Sequence, residues 1–512
     1  MSDFNRRDFL KLAGLFSLGL AAPEFRFRPG IGEPDSNGQN VLIVVFDAMS
    51  ATNLSLYGYP RETMPHLSRL AERATVYHQH YAAGPFTTPG TASLLTGMLP
   101  WTHRALTHND TIADSLSSQN IFNAFAGYHS MAYSHNPLAN VLLRQFMPDI
   151  DDLIPQIRLF LGGDRLINRL FQNDEDISSV AWTRAIKQEE TSYSYSLFFP
   201  RLYEFLQRGR YDQYIGDFPR GLPTIYEDNY FILEHGIDWL QDAMLLAPKP
   251  FLGYFHFFPP HYPYRTRVDF VDAFKHDGYR APEKPISRFA QQRNAGRVAN
   301  VRTRYDEFLL YVDSEFNRLY TFMEQAGLLE NTWLVFTSDH GEMFERGIVG
   351  HQTMAMYQPG VRVPLVIFAP GQRTRQDVTA NTSAIDLLPT LLAVTGQDVP
   401  GWVEGSVLPP FASQPLDPER QIACMRGKGI EADQPFSKGS AMLVKGRYKL
   451  ACVFGYSNTP ENGNVESVEL YDLESDSEEL NDLYPTQKAL GESLLAELFS
   501  SRDNADRRYL GE

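Results

Sequence analysis

The residues best suited to chemistry lie in the segment 84–104, GPFTTPGTASLLTGMLPWTHR. Thr87 stands two residues before Pro89, and proline is favoured in the first turn of a helix, where its missing N–H costs nothing. We therefore expect a helix to begin here with the free N–H groups of Gly90 and Thr91 at its start. Free donors and the helix dipole make such a terminus a binding site for an anionic substrate. A hydroxyl beside that site is a nucleophile only when something lowers its pKa.

A metal ion held at the ends of two strands would supply that activation. The apolar run VLIVVF is typical of a strand buried on both faces, and it ends at Asp47. A second buried strand, in NTWLVFTS, ends at Asp339 and His340. Ligands bind at the carboxyl ends of strands in open α/β sheets, and these side chains together with Thr87 form an oxygen and nitrogen shell suited to one divalent cation. A cation on the Thr87 hydroxyl would lower its pKa.

Two histidines follow another predicted strand. The segment 250–264, PFLGYFHFFPPHYPY, is expected to be a strand that leads into a proline-rich loop with His256 and His261. A histidine after a strand end can act as a general acid or contact an anion. A further histidine, His351, lies in the predicted loop GHQ at 350–352.

Predicted strands and helices alternate along most of the chain. Amphipathic helices are expected at 64–74, 305–328 and 382–396, and a further strand at 361–371. This alternation predicts an α/β fold with a mostly parallel central sheet and helices on both faces. The last part, 412–512, contains three antiparallel-type strand segments and an amphipathic helix, which predict a smaller α+β subdomain.

Composition limits the class of protein. The chain has 512 residues, of which 43% are hydrophobic, and this is enough for a large core and two subdomains. The formal net charge of -16 argues against nucleic acid as a partner, so an anionic substrate needs a locally placed cation or metal. The two cysteines, Cys424 and Cys452, lie in neighbouring predicted strands, and either one disulfide or two buried thiols is consistent with that placement.

The N-terminus has the pattern of an export signal. Arg6 and Arg7 precede FLK and the short apolar run LAGLFSLGLAA, which resembles a bacterial twin-arginine signal. We expect residues 1–23 to be this signal or an anchor, and 24–39 to be a linker. The protein would then be periplasmic, extracellular or tethered to the membrane through residues 9–22.

The catalytic domain is expected to span 40–411. Within it, 105–250 is an insertion-rich part with helical patterns and an aromatic stretch, TSYSYSLFFPRLYEFLQRGRYDQY. The aromatic stretch either faces a carbohydrate or lipid or forms the core of an insertion, and the second interpretation is favoured.

The ordered motifs resemble the sulfatase branch of the alkaline phosphatase superfamily from about Asn40 to about Leu483. They are the strand that ends in Asp47, TTPGTASLLTGMLPWTH, PPHYPY, SDHGE, GVRVPLVI, IDLLPTLL and ELYDLESDSEELNDL. The resemblance implies an alkaline-phosphatase-like fold and metal-ligand positions for four residues, which are Asp47, Thr87, Asp339 and His340. It also implies substrate contacts for His261 and for the loop of His351.

Three departures from the sulfatase pattern bear on the reaction. Thr87 stands where a sulfatase carries the cysteine that becomes formylglycine, Thr91 replaces an arginine, and Ala48 replaces a second aspartate. A threonine nucleophile resembles the phosphodiesterase, phosphonate-hydrolase and phospho-headgroup transferase members. The two-metal diesterases carry an aspartate at the place of Phe257, so we expect one metal ion. Mn²⁺ or Zn²⁺ is favoured by the histidine, with Ca²⁺ or Mg²⁺ as alternatives.

These observations predict a metal-dependent hydrolase of phosphate, phosphonate or sulfate esters. Thr87 would attack, the helix start near Gly90 would stabilise the transferred group, and His261 or His351 would protonate the leaving oxygen. The substrate would be an anionic ester, free or linked to a glycan or lipid. Two alternatives stay open, a transferase that moves a phospho-headgroup onto an envelope glycan or lipid, and a non-catalytic glycan-binding protein. The oligomeric state is not predicted.

The export signal yields the first prediction. Changing Arg6 and Arg7 together to lysine is expected to retain the protein in the cytoplasm, because the arginine pair is the part of the signal that the export machinery recognises. Cell fractionation of the parent and the double variant measures this. Unchanged delivery across the inner membrane would contradict the prediction, as would topology mapping that puts residues after 40 on the cytoplasmic side.

Overall fold

The computed structural model describes residues 38–108, 110–161, 211–225, 229–292, 294–429, 434–456 and 465–511. The predicted export signal, most of the predicted linker and most of the aromatic stretch lie outside these residues. Within the described ranges, no helix is both long enough and apolar enough to cross a membrane.

Fourteen strands are described. They are β1 (Asn40–Phe46), β2 (Thr75–Tyr81), β3 (His129–Ser134), β4 (Asp152–Leu153), β5 (Phe251–Phe257), β6 (Thr332–Thr337), β7 (Phe344–Glu345), β8 (Ile348–Val349), β9 (Leu365–Phe368), β10 (Gln376–Ser383), β11 (Ile422–Gly427), β12 (Gly439–Lys445), β13 (Tyr448–Phe454) and β14 (Val465–Asp472).

Eight of these strands form the central sheet in the order β10-β2-β9-β6-β1-β5-β3-β4. β1 pairs in parallel with both β5 and β6, whereas β9 runs antiparallel to its two neighbours. The prediction of a mostly parallel central sheet is therefore confirmed. The expected strand at 361–371 is shorter than predicted, and β10 at the sheet edge was not predicted.

Ten helices are described. They are α1 (Pro65–Leu70), α2 (Thr87–Thr96), α3 (Pro100–His103), α4 (Ile121–Ala124), α5 (Pro137–Gln145), α6 (Leu233–Leu246), α7 (Ala295–Gln325), α8 (Gln358–Val361), α9 (Leu387–Val394) and α10 (Lys488–Leu510). The long helix α7 begins ten residues before the expected start, because Asn294 caps it by accepting a hydrogen bond from the N–H of Arg297.

The core lies on both faces of the central sheet. Alternate residues of β1 enter two separate clusters: Val44 and Phe46 pack with α7 residues such as Phe316, whereas Ile43 packs with α9 residues such as Leu391. Every residue of β1 is buried, as expected for a strand with helices above and below it. The apolar run in the sequence therefore places the end of β1 at the centre of the molecule.

The C-terminal part forms a second sheet. β11, β12, β13 and β14 are antiparallel in that order, and α10 packs on them through Leu494 and Leu498. This confirms the predicted antiparallel subdomain, while the boundary at 412 stays a prediction. Cys424 and Cys452 are both free and buried, and burial raises the pKa of the Cys452 thiol to about 12.

A buried ion pair joins the second sheet to the loops of the first. Lys449 Nζ on β13 lies 2.5 Å from Glu479 Oε1, and both side chains are at most 1% exposed. Lys449 also donates to the carbonyl of Met356, and the other Glu479 oxygen accepts from the N–H of Gln358 at 2.8 Å. The pair thus fixes the start of α8 against the second sheet.

Removing one partner of this pair should destabilise the fold. Lys449→Met is expected to lower the free energy of unfolding by about 3–5 kcal/mol, because it leaves Glu479 charged and buried without a cation. Urea unfolding followed by fluorescence measures the loss. The control Lys488→Met removes a lysine whose ion pair with Glu492 is exposed, and it should unfold like the parent. Equal unfolding of Lys449→Met and the control would contradict the assignment.

Candidate metal centre and active site

Two neighbouring parallel strands place three candidate ligands together. β1 and β6 are adjacent, so the residues that follow them, Asp47 and Asp339 with His340, meet at the same edge of the sheet. All three side chains are fully buried. One ligand atom from each lies within 4.8 Å of the others, as the spacing of ligands around one metal ion requires.

The hydrogen bonds of Asp339 leave one of its oxygens unpaired. Oδ1 accepts from the N–H of His340 at 3.0 Å and from the N–H of Ala48 at 3.3 Å, whereas Oδ2 has no hydrogen-bond partner. Ala48 adopts a left-handed backbone conformation, with a φ of 58°, in the turn after β1. This turn therefore holds the carboxylate with Oδ2 free to accept a cation.

Asp47 has the same pattern of one paired and one unpaired oxygen. Its Oδ2 accepts a hydrogen bond from Asn136 Nδ2, and its Oδ1 has no hydrogen-bond partner. Burial acts to raise the pKa of Asp47, but the imidazoles of His256 and His340 hold it well below its ordinary value. Buried, ionised carboxylates with unpaired oxygens are costly unless a cation binds them. The donor set therefore fits a divalent metal.

The His340 ring presents its other nitrogen to these carboxylates. Nδ1 lies 2.9 Å from the Gly341 carbonyl, so it donates there and leaves the Nε2 lone pair directed at the site. Nε2 is 3.4 Å from Asp47 Oδ1 and 3.6 Å from Asp339 Oδ2. Burial acts to lower the pKa of His340, but the two carboxylates outweigh it and raise the pKa to about 9. A metal ion would compete with the proton for the lone pair of His340 Nε2.

Thr87 is the first residue of α2, and its hydroxyl faces the same cluster. Oγ1 lies 3.4 Å from His340 Nε2 and accepts a hydrogen bond from Asn136 Nδ2 at 3.0 Å. Asn136 therefore orients both Thr87 and Asp47. Asn136 was not among the predicted site residues, although an Asn–Pro step between a strand and a helix is a recognisable signal for a cap, and Asn136 does cap α5.

The start of α2 corrects the predicted anion site. The helix begins at Thr87, so the N–H of Gly90 is not free but donates to the Phe86 carbonyl at 3.2 Å. Thr91 is fully buried. The free first-turn donors are instead those of Thr87 and Thr88, since Pro89 has none. The expectation of a free N–H at Gly90 is therefore wrong, because the helix starts earlier than Pro89 indicated, whereas substrate contacts by Gly90 and Thr91 stay a prediction.

Gly90 and Thr88 lie where α2 packs closely on its surroundings. A Cβ on Gly90 would lie 2.3 Å from the Asp339 carbonyl oxygen, so glycine allows α2 to approach the end of β6. Phe86 occupies the cap position of α2, and the Thr88 hydroxyl is buried without a hydrogen-bond partner.

His261 and His351 lie beside the cluster, as the sequence predicted for substrate-facing groups. The ring centroids of His351 and His340 are 4.3 Å apart, and those of His351 and His261 are 5.1 Å apart. His351 Nδ1 is 2.9 Å from Glu342 Oε1, and His261 Nδ1 is 2.6 Å from the Tyr262 carbonyl. Each ring can therefore donate through Nδ1 and keep Nε2 as an acceptor.

Charge and burial keep these two imidazoles neutral. Burial, with the nearby positive charge of His340, lowers the pKa of His351 to about 3, and burial also lowers the pKa of His261. Burial raises the pKa of Glu342, the partner of His351, to about 7. A neutral imidazole with a free Nε2 accepts a proton before it can donate one, so these groups suit a base that later acts as an acid.

His256 on β5 also lies beside the two candidate carboxylate ligands. Its Nε2 lies 3.3 Å from Asp47 Oδ2 and 3.8 Å from Asp339 Oδ2, and its Nδ1 lies 3.2 Å from the Tyr254 hydroxyl. His256 was expected in the proline-rich loop after the strand, but it lies inside β5, and it was not among the predicted site residues. Its contact with the carboxylates follows from the pairing of β5 with β1, which the local sequence does not show.

Models of known families match the chain at both sheets. The model described as Sulfatase matches residues 39–397, and the model described as N-sulphoglucosamine sulphohydrolase, C-terminal, matches residues 350–503. The first match extends over more than half of the chain and includes every residue of the candidate metal centre.

Individual relatives are distant. Arylsulfatase K from Canis lupus familiaris is 23% identical, and the match covers 51% of this chain but only 52% of that protein. The multifunctional alkaline phosphatase superfamily protein PehA from Trinickia caryophylli is 23% identical over 73% of this chain and 77% of its own length. The structure of a phosphonate monoester hydrolase from Agrobacterium radiobacter superposes with a TM-score of 0.64 at 17% identity, covering 91% of this chain and 96% of that one.

The ligand set yields a metal-binding prediction. Asp339→Ala should lower the affinity for a divalent cation at least about tenfold while the protein stays folded, because it removes the unpaired Oδ2. Elemental analysis after dialysis measures occupancy, with one ion per chain expected in the parent. The control Asp377→Ala, which removes a surface carboxylate on β10, should keep the ion. Full occupancy of Asp339→Ala would contradict the ligand set, and two ions in the parent would contradict a single-metal site.

Proposed function

The chain belongs to the sulfatase family, and from this premise we propose that it is a metal-dependent hydrolase of phosphate or phosphonate esters with Thr87 as its nucleophile. One observation carries the proposal: Asn136 holds the Thr87 hydroxyl 3.4 Å from His340 Nε2, the nitrogen that also lies within 3.6 Å of the unpaired oxygens of Asp47 and Asp339.

Phosphorus is favoured over sulfur because of the residue at 87. Threonine cannot become the formylglycine that the sulfatase resemblance requires, but its hydroxyl can form an ester with a phosphoryl or phosphonyl group. A phosphonate monoester hydrolase shares the fold, and this likeness is consistent with the proposal. Sulfate esters are the second candidate, because the matching family model and arylsulfatase K are described as sulfatases.

In the first step of the proposed reaction, different residues have different roles. Asp47, Asp339 and His340 would hold the metal, which when bound lowers the pKa of the hydroxyl and offsets charge on the transferred group. Asn136 Nδ2 fixes the direction of Thr87 Oγ1. The hydroxyl oxygen attacks phosphorus, and the bond from phosphorus to the leaving oxygen breaks. His261, partly buried and neutral, accepts the hydroxyl proton and delivers it to the leaving oxygen.

The second step returns the enzyme to its starting state. Water attacks the phosphorus of the phosphothreonine, the bond to Oγ1 breaks, and the water proton passes through the same imidazole to Oγ1. If an alcohol replaces water, the same chemistry transfers the phosphoryl group. Product analysis with and without glycerol as acceptor separates hydrolase from transferase.

The nucleophile assignment is tested by variants of adjacent threonines. Thr87→Ala should reduce turnover of a chromogenic phosphonate or phosphodiester at least about a hundredfold, because it removes the hydroxyl that Asn136 holds beside His340. Thr87→Ser keeps the hydroxyl and should retain part of the rate. The control Thr88→Val removes a buried hydroxyl without a partner and keeps the volume, so it should fold and turn over like the parent.

Mass spectrometry of the quenched reaction gives a direct readout. Phosphate or phosphonate should be found on the peptide that contains Thr87 in the parent and be absent in Thr87→Ala. Near-parent rates for Thr87→Ala on every ester tested would overturn the covalent mechanism. Turnover of sulfate esters alone would support the second candidate.

A further inference from the structure

Arg426 on β11 is a buried cation without a carboxylate partner in the described part of the chain. Its side chain is only 5% exposed. One nitrogen, Nη1, donates to the Thr353 carbonyl at 2.7 Å, and Nε has no hydrogen-bond partner. Burial lowers the pKa of Arg426, and no carboxylate is among the groups that offset this effect. A buried guanidinium of this kind is costly unless it serves to bind an anion.

The guanidinium bridges the two segments that carry the proposed chemistry. Its central carbon lies 4.8 Å from the centroid of the Phe86 ring, and Phe86 directly precedes Thr87. Thr353, its carbonyl partner, donates its own N–H to the carbonyl of His351 at 2.8 Å. Arg426 therefore contacts the residue that precedes Thr87 on one side and the loop of His351 on the other.

The backbone of β11 fixes this position. Met425 donates its N–H to the Ala83 carbonyl at 2.9 Å, and Gly427 donates to the Leu106 carbonyl at 2.9 Å. Ala83 opens the turn that leads to Thr87, and Leu106 follows α3, so the edge strand of the second sheet is attached to the turn before Thr87 through Met425 and to the segment after α3 through Gly427. The Arg426 side chain therefore starts from a backbone that is fixed by hydrogen bonds, not from a loop without such bonds.

A histidine shares the aromatic side chain that Arg426 covers. The His108 ring lies 4.6 Å from the Phe86 ring. Burial lowers the pKa of His108, and the charges of Arg426, Lys428 and His340 lower it further, so this imidazole is uncharged near neutral pH. The buried positive charge beside Phe86 is therefore that of Arg426, and in a chain with a net charge of -16 it favours an acidic ligand at this place.

We propose that Arg426 forms an anion subsite, next to the nucleophile, that binds a second acidic group on the leaving-group side of the substrate. A carboxylate, sulfate or phosphate would accept the unpaired N–H groups of the guanidinium in the geometry that arginine prefers. The substrates would then be esters of molecules that carry a further oxyanion, such as acidic sugars. This inference rests on the proposed ester hydrolysis and adds the substrate class.

Two matched esters test the subsite. The aryl esters of methylphosphonate, one with a plain 4-nitrophenyl leaving group and one with an added ring carboxylate, differ only in the second anion. Arg426→Gln should lower kcat/KM for the carboxylated ester about 10- to 100-fold, the loss expected for a charge-assisted hydrogen bond. The plain ester should change less than about threefold. Arg426→Lys should restore part of the preference.

Controls separate a specific subsite from a general effect. Arg447→Gln removes the same charge from the second sheet, beside Asp472 and away from the site, and should leave the ratio of the two esters unchanged. Arg426→Met keeps more of the packing on Phe86, and its folding is checked by circular dichroism. An equal loss for both esters would overturn the proposal, since it would place Arg426 on the transferred group instead.

A binding measurement tests the anion subsite even if the protein hydrolyses neither ester. Calorimetric titration of the metal-loaded parent with phenylphosphonate and with 4-carboxyphenylphosphonate should show tighter binding of the carboxylated probe, and Arg426→Gln should remove the difference. If the parent hydrolyses neither ester but shows this preference, the proposed reaction fails and the subsite stands. If the parent hydrolyses the plain ester without any carboxylate preference, the reaction stands and the subsite fails.

Discussion

The constraint on which this structure depends is the burial of two carboxylates at the ends of adjacent parallel strands. Asp47 and Asp339 follow β1 and β6, which are neighbours at the centre of the sheet, and each keeps one oxygen without a hydrogen-bond partner. Two ionised groups so placed repel each other in a medium of low dielectric constant, and protein donors satisfy only half of their oxygens. A bound cation would resolve both problems, so the strand pairing that builds the central sheet also creates the candidate metal site.

The surrounding elements are shaped by the need to approach this cluster. Gly90 lets α2 contact the Asp339 backbone, which brings Thr87 to the ligands. Asn136 reaches the cluster from the end of β3 and donates to both Asp47 and Thr87, so one amide orients a candidate metal ligand and the hydroxyl that we propose as the nucleophile. Such hydrogen bonds orient ligands and nucleophiles, and they determine activity although they do not react.

The sequence predicted the central features because they depend on strong local patterns. The apolar run before Asp47 and the strand before Asp339 indicated two buried strands, and parallel pairing then required their ends to meet. β10 was missed because QDVTANTS, at the sheet edge, lacks a buried apolar pattern. Asn136 and His256 were not assigned to the site, since their contacts depend on which strands are neighbours rather than on local spacing. The helix start was misplaced by Pro89, which tolerates several positions of the first turn.

The two sheets contribute different groups to the surroundings of the candidate site. The central sheet and its connections supply the carboxylates, the imidazole and the hydroxyl, which would contact the transferred acid group of any ester substrate. The edge strand β11 is attached by backbone hydrogen bonds to the nucleophile turn, and the buried pair of Lys449 and Glu479 fixes the same sheet to the start of α8. A residue on β11 therefore has a defined position relative to Thr87. Substitutions in the second sheet would therefore alter substrate preference, while the groups proposed to carry out the reaction, which belong to the central sheet, stay the same.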